Sequence, residues 1–234
     1  MSEQSSRRPG PRAWTALAVA LVVVAVVAVV VAVTGQQQAP QPAAAPDQGK
    51  GSTATALPAP STPGSAAAPA EPATPASGEQ VVQPVSVSIP SIEVTSDLLR
   101  LGLNDDGTVE VPPLGPDDQA GWYERGPAPG AIGPAVVLGH VDSAEHGPGI
   151  FFDLGALQPG DEVEVARADG TVAVFAVDRV ERHPKDDFPT IAVYGDTADA
   201  QLRLITCGGD FDSAVRSYED NVIAFATLVR TEPA

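Results

Sequence analysis

The residues best suited to chemistry are a cysteine and a histidine, each placed at the end of a short apolar run. Cys207, the single cysteine of the chain, follows the run 201–206 and precedes two glycines, while His140 follows the run 134–139. A sheet holds the backbone at a strand end while the side chain there stays accessible, so two such ends can meet at one rim. Because a histidine can take up the proton of a neighbouring thiol, the pair predicts a nucleophilic cysteine for acyl transfer.

The alternative is a Cys207 that is buried and inert, as small apolar cysteines often are, with His140 as a hydrogen-bonded structural residue. Three observations favour the nucleophile: the two glycines leave space beside the sulfur, a matching histidine exists, and the preceding segments indicate export, where an idle thiol is a liability. The two other histidines, His146 and His183, lie in charged segments rich in turn residues. We expect both to be solvated.

Acyl transfer also needs a group that stabilises the developing oxyanion. Arg216 comes nine residues after Cys207 and just before the last apolar run, so a hairpin arm could carry its guanidinium back to the thiol. The rival is Arg203, which shares a strand face with Cys207 but lies about 13 Å back along the strand. We expect Arg203 to form a surface salt bridge and Arg216 to be the catalytic arginine.

Residues 81–234 are dominated by short β-branched runs between Gly, Pro and Asp turns, which is typical of a β-barrel or β-sandwich. Short helices are expected at 97–101 and 150–157. Strands are expected over 85–89, 108–111, 135–138, 162–165, 171–177, 201–206 and 222–229. The sequence therefore predicts one small all-β domain with minor helices.

Two segments of different character precede this domain. Residues 14–34 contain no charge and as a helix would span roughly 31 Å, the thickness of a bilayer core. Three arginines within residues 1–13 place that tip in the cytoplasm, so the span is expected to be an uncleaved signal anchor, with a cleaved signal peptide as the alternative. Residues 35–80 are rich in Pro and Ala and are expected to form a disordered linker.

The charge of the chain is concentrated in its last part. The formal net charge is −17, and residues 1–80 hold as many bases as acids, so residues 81–234 account for all of it. Nucleic-acid binding is excluded because it needs a cationic surface. A lone cysteine also excludes an intramolecular disulfide and a multi-cysteine zinc site. No cofactor or metal is predicted, since the acidic residues of the loops are scattered along the sequence.

Residues 81–232 resemble the sortases, the cysteine transpeptidases of Gram-positive cell surfaces. Leu204–Cys207 resembles the TLxTC strand of that family and Leu138–His140 its catalytic histidine strand. The order of histidine, cysteine and arginine also fits, as does an anchor followed by a stalk. The actinobacterial class F branch is most similar, with class E next, on the segments Gly121–Tyr123, His140–Ser143, Cys207–Gly209 and Tyr218–Asn221.

The resemblance implies an eight-stranded β-barrel and a reaction in two steps. Cys207 would attack the Thr–Gly carbonyl of an LPxTG-like sorting signal, His140 would move the protons, and Arg216 would hold the oxyanion. The implied partners are secreted surface proteins that carry the signal and an amine of a cell-wall precursor. In better-known sortases the arginine starts the last strand, near Asp220 and Asn221 here, so the role of Arg216 requires its loop to bend inward.

Two other enzyme classes and one non-enzymatic function are the alternatives. An L,D-transpeptidase would show an SHGxxC-type motif, but Glu145–Gly147 lies well before the cysteine. A papain-like protease would have its histidine after its cysteine, whereas here His140 comes first. The remaining alternative is a membrane-tethered β-domain that only binds, with Cys207 inert.

Overall fold

The computed structural model describes residues 38–42 and 82–234. Residues 39–42 and 82–234 belong to the same structural unit. The predicted cytoplasmic tip, the predicted span 14–34 and most of the predicted linker 35–80 lie outside the described residues. Within the described ranges, no helix is long and apolar enough to cross a bilayer.

Strands form most of the described domain, and eight of the ten close into a barrel in the order β1-β2-β3-β4-β9-β10-β8-β7. The other two form a small separate sheet. The strands are β1 (Pro84–Ile89), β2 (Val94–Leu101), β3 (Ala120–Tyr123), β4 (Gly133–Leu138), β5 (Asp142–Ser143), β6 (Gly147–Pro148), β7 (Glu162–Arg167), β8 (Thr171–Pro184), β9 (Ala200–Asp212) and β10 (Ser217–Pro233). The prediction of an all-β, eight-stranded barrel is confirmed.

Helical structure in the described part is limited to short pieces. The α-helix α1 (Thr190–Tyr194) lies between β8 and β9, and single 3₁₀ turns occupy Pro90–Ile92, Leu154–Ala156 and Lys185–Asp187. The barrel closes where β1 pairs antiparallel with β7. All neighbouring pairs are antiparallel except β2 with β3 and β4 with β9, which run parallel. Closure leaves the barrel without an unpaired edge.

The core has two parts because β9 is buried on both faces. Leu202 and Leu204 point into the barrel interior, where they pack with apolar residues of the other strands. Arg203 and Ile205 point outward, and Ile205 packs in a second cluster that contains Val193 of α1. The side chains alternate between the faces with the period of a strand. The helix α1 therefore covers the outer face of the strand that leads to Cys207.

Several sequence-based expectations need correction. The segment 97–101 is not a helix but the end of β2, because Asp97 pairs with Ser86 on β1 and Leu98 with Ala120 on β3. The expected helix at 150–157 is reduced to a single 3₁₀ turn. The expected strand at 108–111 is reduced to one bridge between Leu103 and Val109. Pairing with distant strands, which local patterns do not contain, decides these segments.

Substitution of Phe175 tests the packing of the barrel interior, since the ring of this β8 residue is fully buried. We expect Phe175→Ala to lower the free energy of unfolding by about 3–5 kcal/mol, because the cavity that it leaves cannot be refilled. Urea unfolding followed by tryptophan fluorescence measures the change. Ile191→Ala is the control, since Ile191 is 87% exposed and its loss should cost under about 0.5 kcal/mol. Equal effects of the two substitutions would contradict the described core.

Candidate active site

The parallel pairing of β4 and β9 places the two predicted reactive residues side by side. The register runs from Gly133 opposite Ala200 to Leu138 opposite Ile205, and the N–H of Gly139 donates to the carbonyl of Ile205 at 3.1 Å. Continued for two more residues, this register brings His140 opposite Cys207. Neighbouring strands lie about 4.8 Å apart, and residues two apart share a face. The continued register therefore places the two residues opposite each other at one rim of the barrel, on the same face.

His140 is held through its ring and through its backbone. Its Nε2 lies 2.7 Å from the carbonyl oxygen of Pro112, and its own carbonyl accepts the N–H of Phe151 at 2.9 Å. A carbonyl oxygen can only accept, so Nε2 carries a proton, and Nδ1 makes no hydrogen bond within the described residues. Gly139 fits closely here, because a Cβ at that position would lie 2.5 Å from the Phe151 ring.

Cys207 is a free, half-buried cysteine on β9. It pairs with Asn221 of β10, and Asn221 in turn pairs with His183 of β8. This corrects the expectation that His183 lies in a solvated loop: it is a strand residue, and its Nε2 lies 3.1 Å from Glu181 Oε2. His183 is two strands away from the cysteine, so it cannot replace His140 as the partner of the thiol. His146 stays in the turn between β5 and β6.

Sequence reasoning missed a hydrogen bond that joins the two halves of the site. The hydroxyl of Tyr218 on β10 donates to Asp142 Oδ2 at 2.6 Å, and Asp142 is two residues after His140. Burial, the hydrogen bond to Asp142 and, to a smaller extent, Cys207 raise the pKa of Tyr218 well above its usual range. The phenol therefore stays protonated and continues to donate. The bond ties the Cys207 hairpin to the loop that follows the histidine.

Asp118 is a second residue that sequence reasoning did not single out as part of the site. Its Oδ2 accepts the N–H of Ile150 at 2.6 Å, which fixes the turn that packs against Gly139. No local signal distinguishes this aspartate from its neighbour Asp117. Among residues 38–42 and 82–234, no three His, Cys, Asp or Glu side chains are grouped so that they could hold a metal ion.

Arg216 lies in the turn at the tip of the β9–β10 hairpin. It directly precedes the pair formed by Asp212 and Ser217, its side chain is exposed, and its φ of 55° is in the left-handed region. At the rise of a strand, Cys207 lies about 16 Å from Asp212 along β9. The tip has to bend toward the cysteine before the guanidinium can reach it.

Arg203, the rival, is not in the surface salt bridge that the sequence led us to expect. It is only 4% exposed and donates from Nε to the carbonyl of Ala192 in α1 at 3.1 Å. Its guanidinium carbon lies 4.7 Å from the centre of the Phe225 ring. Burial, together with the nearby Arg179, lowers the pKa of Arg203 to about 10. Arg203 therefore anchors α1 to the barrel rather than facing a substrate.

A different arginine lies near the cysteine in the strand register. Arg182 of β8 contacts Asp220 at 3.3 Å between Nε and Oδ2, and Asp220 pairs with Gly208, the residue after the nucleophile. Arg182 lies in the part of β8 beyond the strand expected at 171–177, because β8 extends to Pro184. Its place near the cysteine could therefore not be predicted.

The closed eight-stranded barrel agrees with a comparison of the sequence with known protein families. A family model described as the sortase domain matches residues 87–229, more than half of the chain. The chain belongs to the sortase family. As a sortase, it is a cysteine transpeptidase.

Solved structures of sortases are similar to this chain at low sequence identity. Sortase A of Listeria monocytogenes is 19% identical, with a TM-score of 0.47, over 66% of this sortase and 92% of its own chain. Sortase A of Corynebacterium diphtheriae is 22% identical, with a TM-score of 0.47, over 67% of this chain and 65% of its own. Streptococcus pneumoniae sortase C is 19% identical, with a TM-score of 0.49, over 66% of this chain and 71% of its own. No curated protein matches this sortase in sequence.

The bond between Tyr218 and Asp142 yields a prediction for this sortase. We expect Tyr218→Phe to lower kcat about tenfold with little change in KM, because the loss of the link misaligns the cysteine and the histidine. Steady-state kinetics with a sorting-signal peptide measures kcat and KM separately. Tyr123→Phe is the matched control, since the Tyr123 hydroxyl makes no hydrogen bond within the described residues. If Tyr218→Phe behaves like this control, the link does not position the site.

Proposed function

We propose that this sortase cleaves LPxTG-like sorting signals between Thr and Gly and transfers the carried protein to a cell-wall amine. The observation that supports the proposal is the parallel register of β4 and β9, which ends with Leu138 opposite Ile205 and, when continued, brings His140 opposite Cys207. Sortases in general act on sorting signals and transfer the protein that carries the signal to cell-wall amines. The particular LPxTG-like motif rests on the sequence resemblance.

In the first step the thiolate of Cys207 attacks the carbonyl carbon of the Thr–Gly bond. The C–N bond breaks, His140 gives its proton to the departing glycine amine, and a thioester joins Cys207 to the threonine carbonyl. In the second step an incoming amine attacks the thioester, His140 takes up the proton of that amine, and the sulfur leaves as thiolate. Water in place of the amine gives hydrolysis.

We also propose that the domain works outside the cell, held by the anchor at 14–34. The arginines before the anchor and the absence of basic residues directly after it support this orientation. The net charge of −17 keeps such a domain soluble. The similarity to the class F branch remains a prediction of the sequence.

The central experiment uses LPxTG and LAxTG peptides with an added amine. We expect wild-type protein to form a ligated peptide and a thioacyl adduct on Cys207, both visible by mass spectrometry. Cys207→Ala should abolish the adduct and the product, because no other thiol exists in the chain. Asn221→Ala, which changes the strand partner of Cys207 but keeps the nucleophile, is the control and should still form the adduct. If wild type forms neither product nor adduct with either peptide, these signals are not its substrates.

The arginine needs its own test, with Arg216 as the proposed oxyanion group. We expect Arg216→Ala to lower kcat/KM about 100-fold, the usual effect of removing one oxyanion donor. Its melting temperature should be unchanged, because the side chain is exposed. Arg182→Ala is the comparison, since Arg182 lies near the site but is paired with Asp220. A large loss in Arg182→Ala with near-normal Arg216→Ala would transfer the role to Arg182.

A further inference from the structure

The loop between β2 and β3, residues 102–119, reaches His140 at two places. The carbonyl oxygen of its Pro112 lies 2.7 Å from Nε2 of the histidine ring. Near the end of the same loop, Asp118 Oδ2 accepts the backbone N–H of Ile150 at 2.6 Å. One loop therefore supplies an acceptor for the ring of the histidine and a second acceptor for the segment that is bonded to its backbone.

That segment, residues 149–151, is joined to the histidine by backbone hydrogen bonds. The N–H of Gly149 donates to the carbonyl of Val141 at 2.8 Å, and the N–H of Phe151 donates to the carbonyl of His140 at 2.9 Å. The N–H between these two, that of Ile150, is the one that donates to the aspartate. Of three successive donors, two therefore hold the segment to the histidine and one holds it to the β2–β3 loop.

Gly149 shows how closely the carboxylate approaches the histidine backbone. A Cβ at this position would lie 2.5 Å from the carbonyl oxygen of His140 and 2.9 Å from Asp118 Oδ2. The φ of Gly149 is not in the left-handed region, so space rather than backbone conformation requires a glycine here. The carboxylate, the segment and the histidine backbone are thus packed together without room for one methyl group.

The β2–β3 loop has restraints of its own. Near its start, the N–H of Gly102 donates to Glu110 Oε2 at 2.6 Å, and Leu103 forms a β-bridge with Val109. Three prolines follow within residues 112–116, and their rings fix φ. These restraints limit the movement of the two acceptors that the loop carries.

The surroundings of the Asp118 carboxylate are unfavourable for the charge itself. Its Oδ1 is buried and has no hydrogen-bond partner among the residues that the structure describes. A buried carboxylate oxygen without a partner costs free energy, whereas the neighbouring Asp117 is exposed to solvent. What the position of Asp118 provides is therefore the bond that its other oxygen accepts from Ile150.

We propose that Asp118 is a positioning residue of this sortase. Through Ile150 it ties the backbone of His140 to the same loop whose Pro112 carbonyl orients the ring. The position needs a hydrogen-bond acceptor rather than a negative charge. The effect on ligation rests on the proposed function, whereas the effect on the histidine ring does not.

The first test follows the Nε2 proton of His140 by NMR of the full chain labelled with ¹⁵N-histidine, in which His140→Ala identifies the signal. A proton held by the Pro112 carbonyl exchanges slowly with water. We expect Asp118→Ala to speed this exchange about tenfold, because the ring then leaves the carbonyl more often. Asp117→Ala removes the exposed neighbouring carboxylate and is the matched control, which should exchange as wild type does. Equal exchange rates in Asp118→Ala, Asp117→Ala and wild type would overturn the proposal.

The second test separates the acceptor from the charge. Asparagine keeps a carbonyl oxygen for the N–H of Ile150 but carries no charge. We therefore expect the exchange rate in Asp118→Asn to stay within about twofold of wild type. Exchange as fast in Asp118→Asn as in Asp118→Ala would show that the charge acts, and it would contradict the assigned role.

The third test approaches the contact from the segment. Gly149→Ala places a methyl group between the His140 carbonyl and the Asp118 carboxylate, so we expect it to speed the exchange as Asp118→Ala does. The double variant should be no faster than the faster single one, because both break the same link. Fully additive effects would show that the two residues act separately and would contradict the link. Asp118→Ala and Asp118→Asn introduce no larger side chain and remain informative if Gly149→Ala folds poorly.

Ligation assays separate this proposal from the function proposed above. If LPxTG peptides are substrates, Asp118→Ala should lower kcat about tenfold with little change in KM, and Asp118→Asn should restore it, because a displaced histidine transfers protons less well. Faster proton exchange in Asp118→Ala without ligation of any peptide by wild type would support the positioning role and contradict the substrate. Unchanged exchange and unchanged kcat in Asp118→Ala, with ligation by wild type, would support the substrate and overturn the positioning role.

Discussion

The structure depends on the parallel pairing of β4 with β9. Parallel neighbours cannot be joined by a tight turn, so the chain between them has to make a long crossover. Here that crossover contains β5 to β8, and β7 and β8 are two of the eight strands that close the barrel. The crossover that joins β4 to β9 is therefore also the part of the chain that completes the barrel.

The second constraint is the burial of β9 on both faces. Leu202 and Leu204 fix the strand from inside the barrel, while Arg203 and Ile205 fix it from outside beneath α1. A charged residue is tolerated there because carbonyl oxygens and the Phe225 ring replace the water around its guanidinium. The strand cannot slide by one residue without placing Arg203 in the apolar interior. The register of β9, and with it the position of Cys207, is held by this arrangement.

Local patterns were sufficient for the strands that carry the site, and insufficient for what surrounds them. The apolar runs before His140 and Cys207 are long and end in polar turns, so their strands and their common rim could be predicted. The strand at 94–101 could not, because Asp97 and Arg100 interrupt its pattern and only pairing on both sides makes it a strand. The bond between Tyr218 and Asp142 joins residues 76 apart, and the partner of His140 is a backbone carbonyl. Neither of these two contacts can be predicted from residue type or spacing.

The bond from His140 to the Pro112 carbonyl has a consequence for the timing of the two half-reactions. The Nε2–H donates to Pro112 whether the imidazole is neutral or protonated, so gain and loss of a proton at Nδ1 leave this bond unbroken. The imidazole ring of His140 can therefore keep one orientation while it protonates one amine and deprotonates the next. In the mechanism proposed above, the leaving and the attacking nitrogen then occupy the same place in succession, so the first product departs before the acceptor enters.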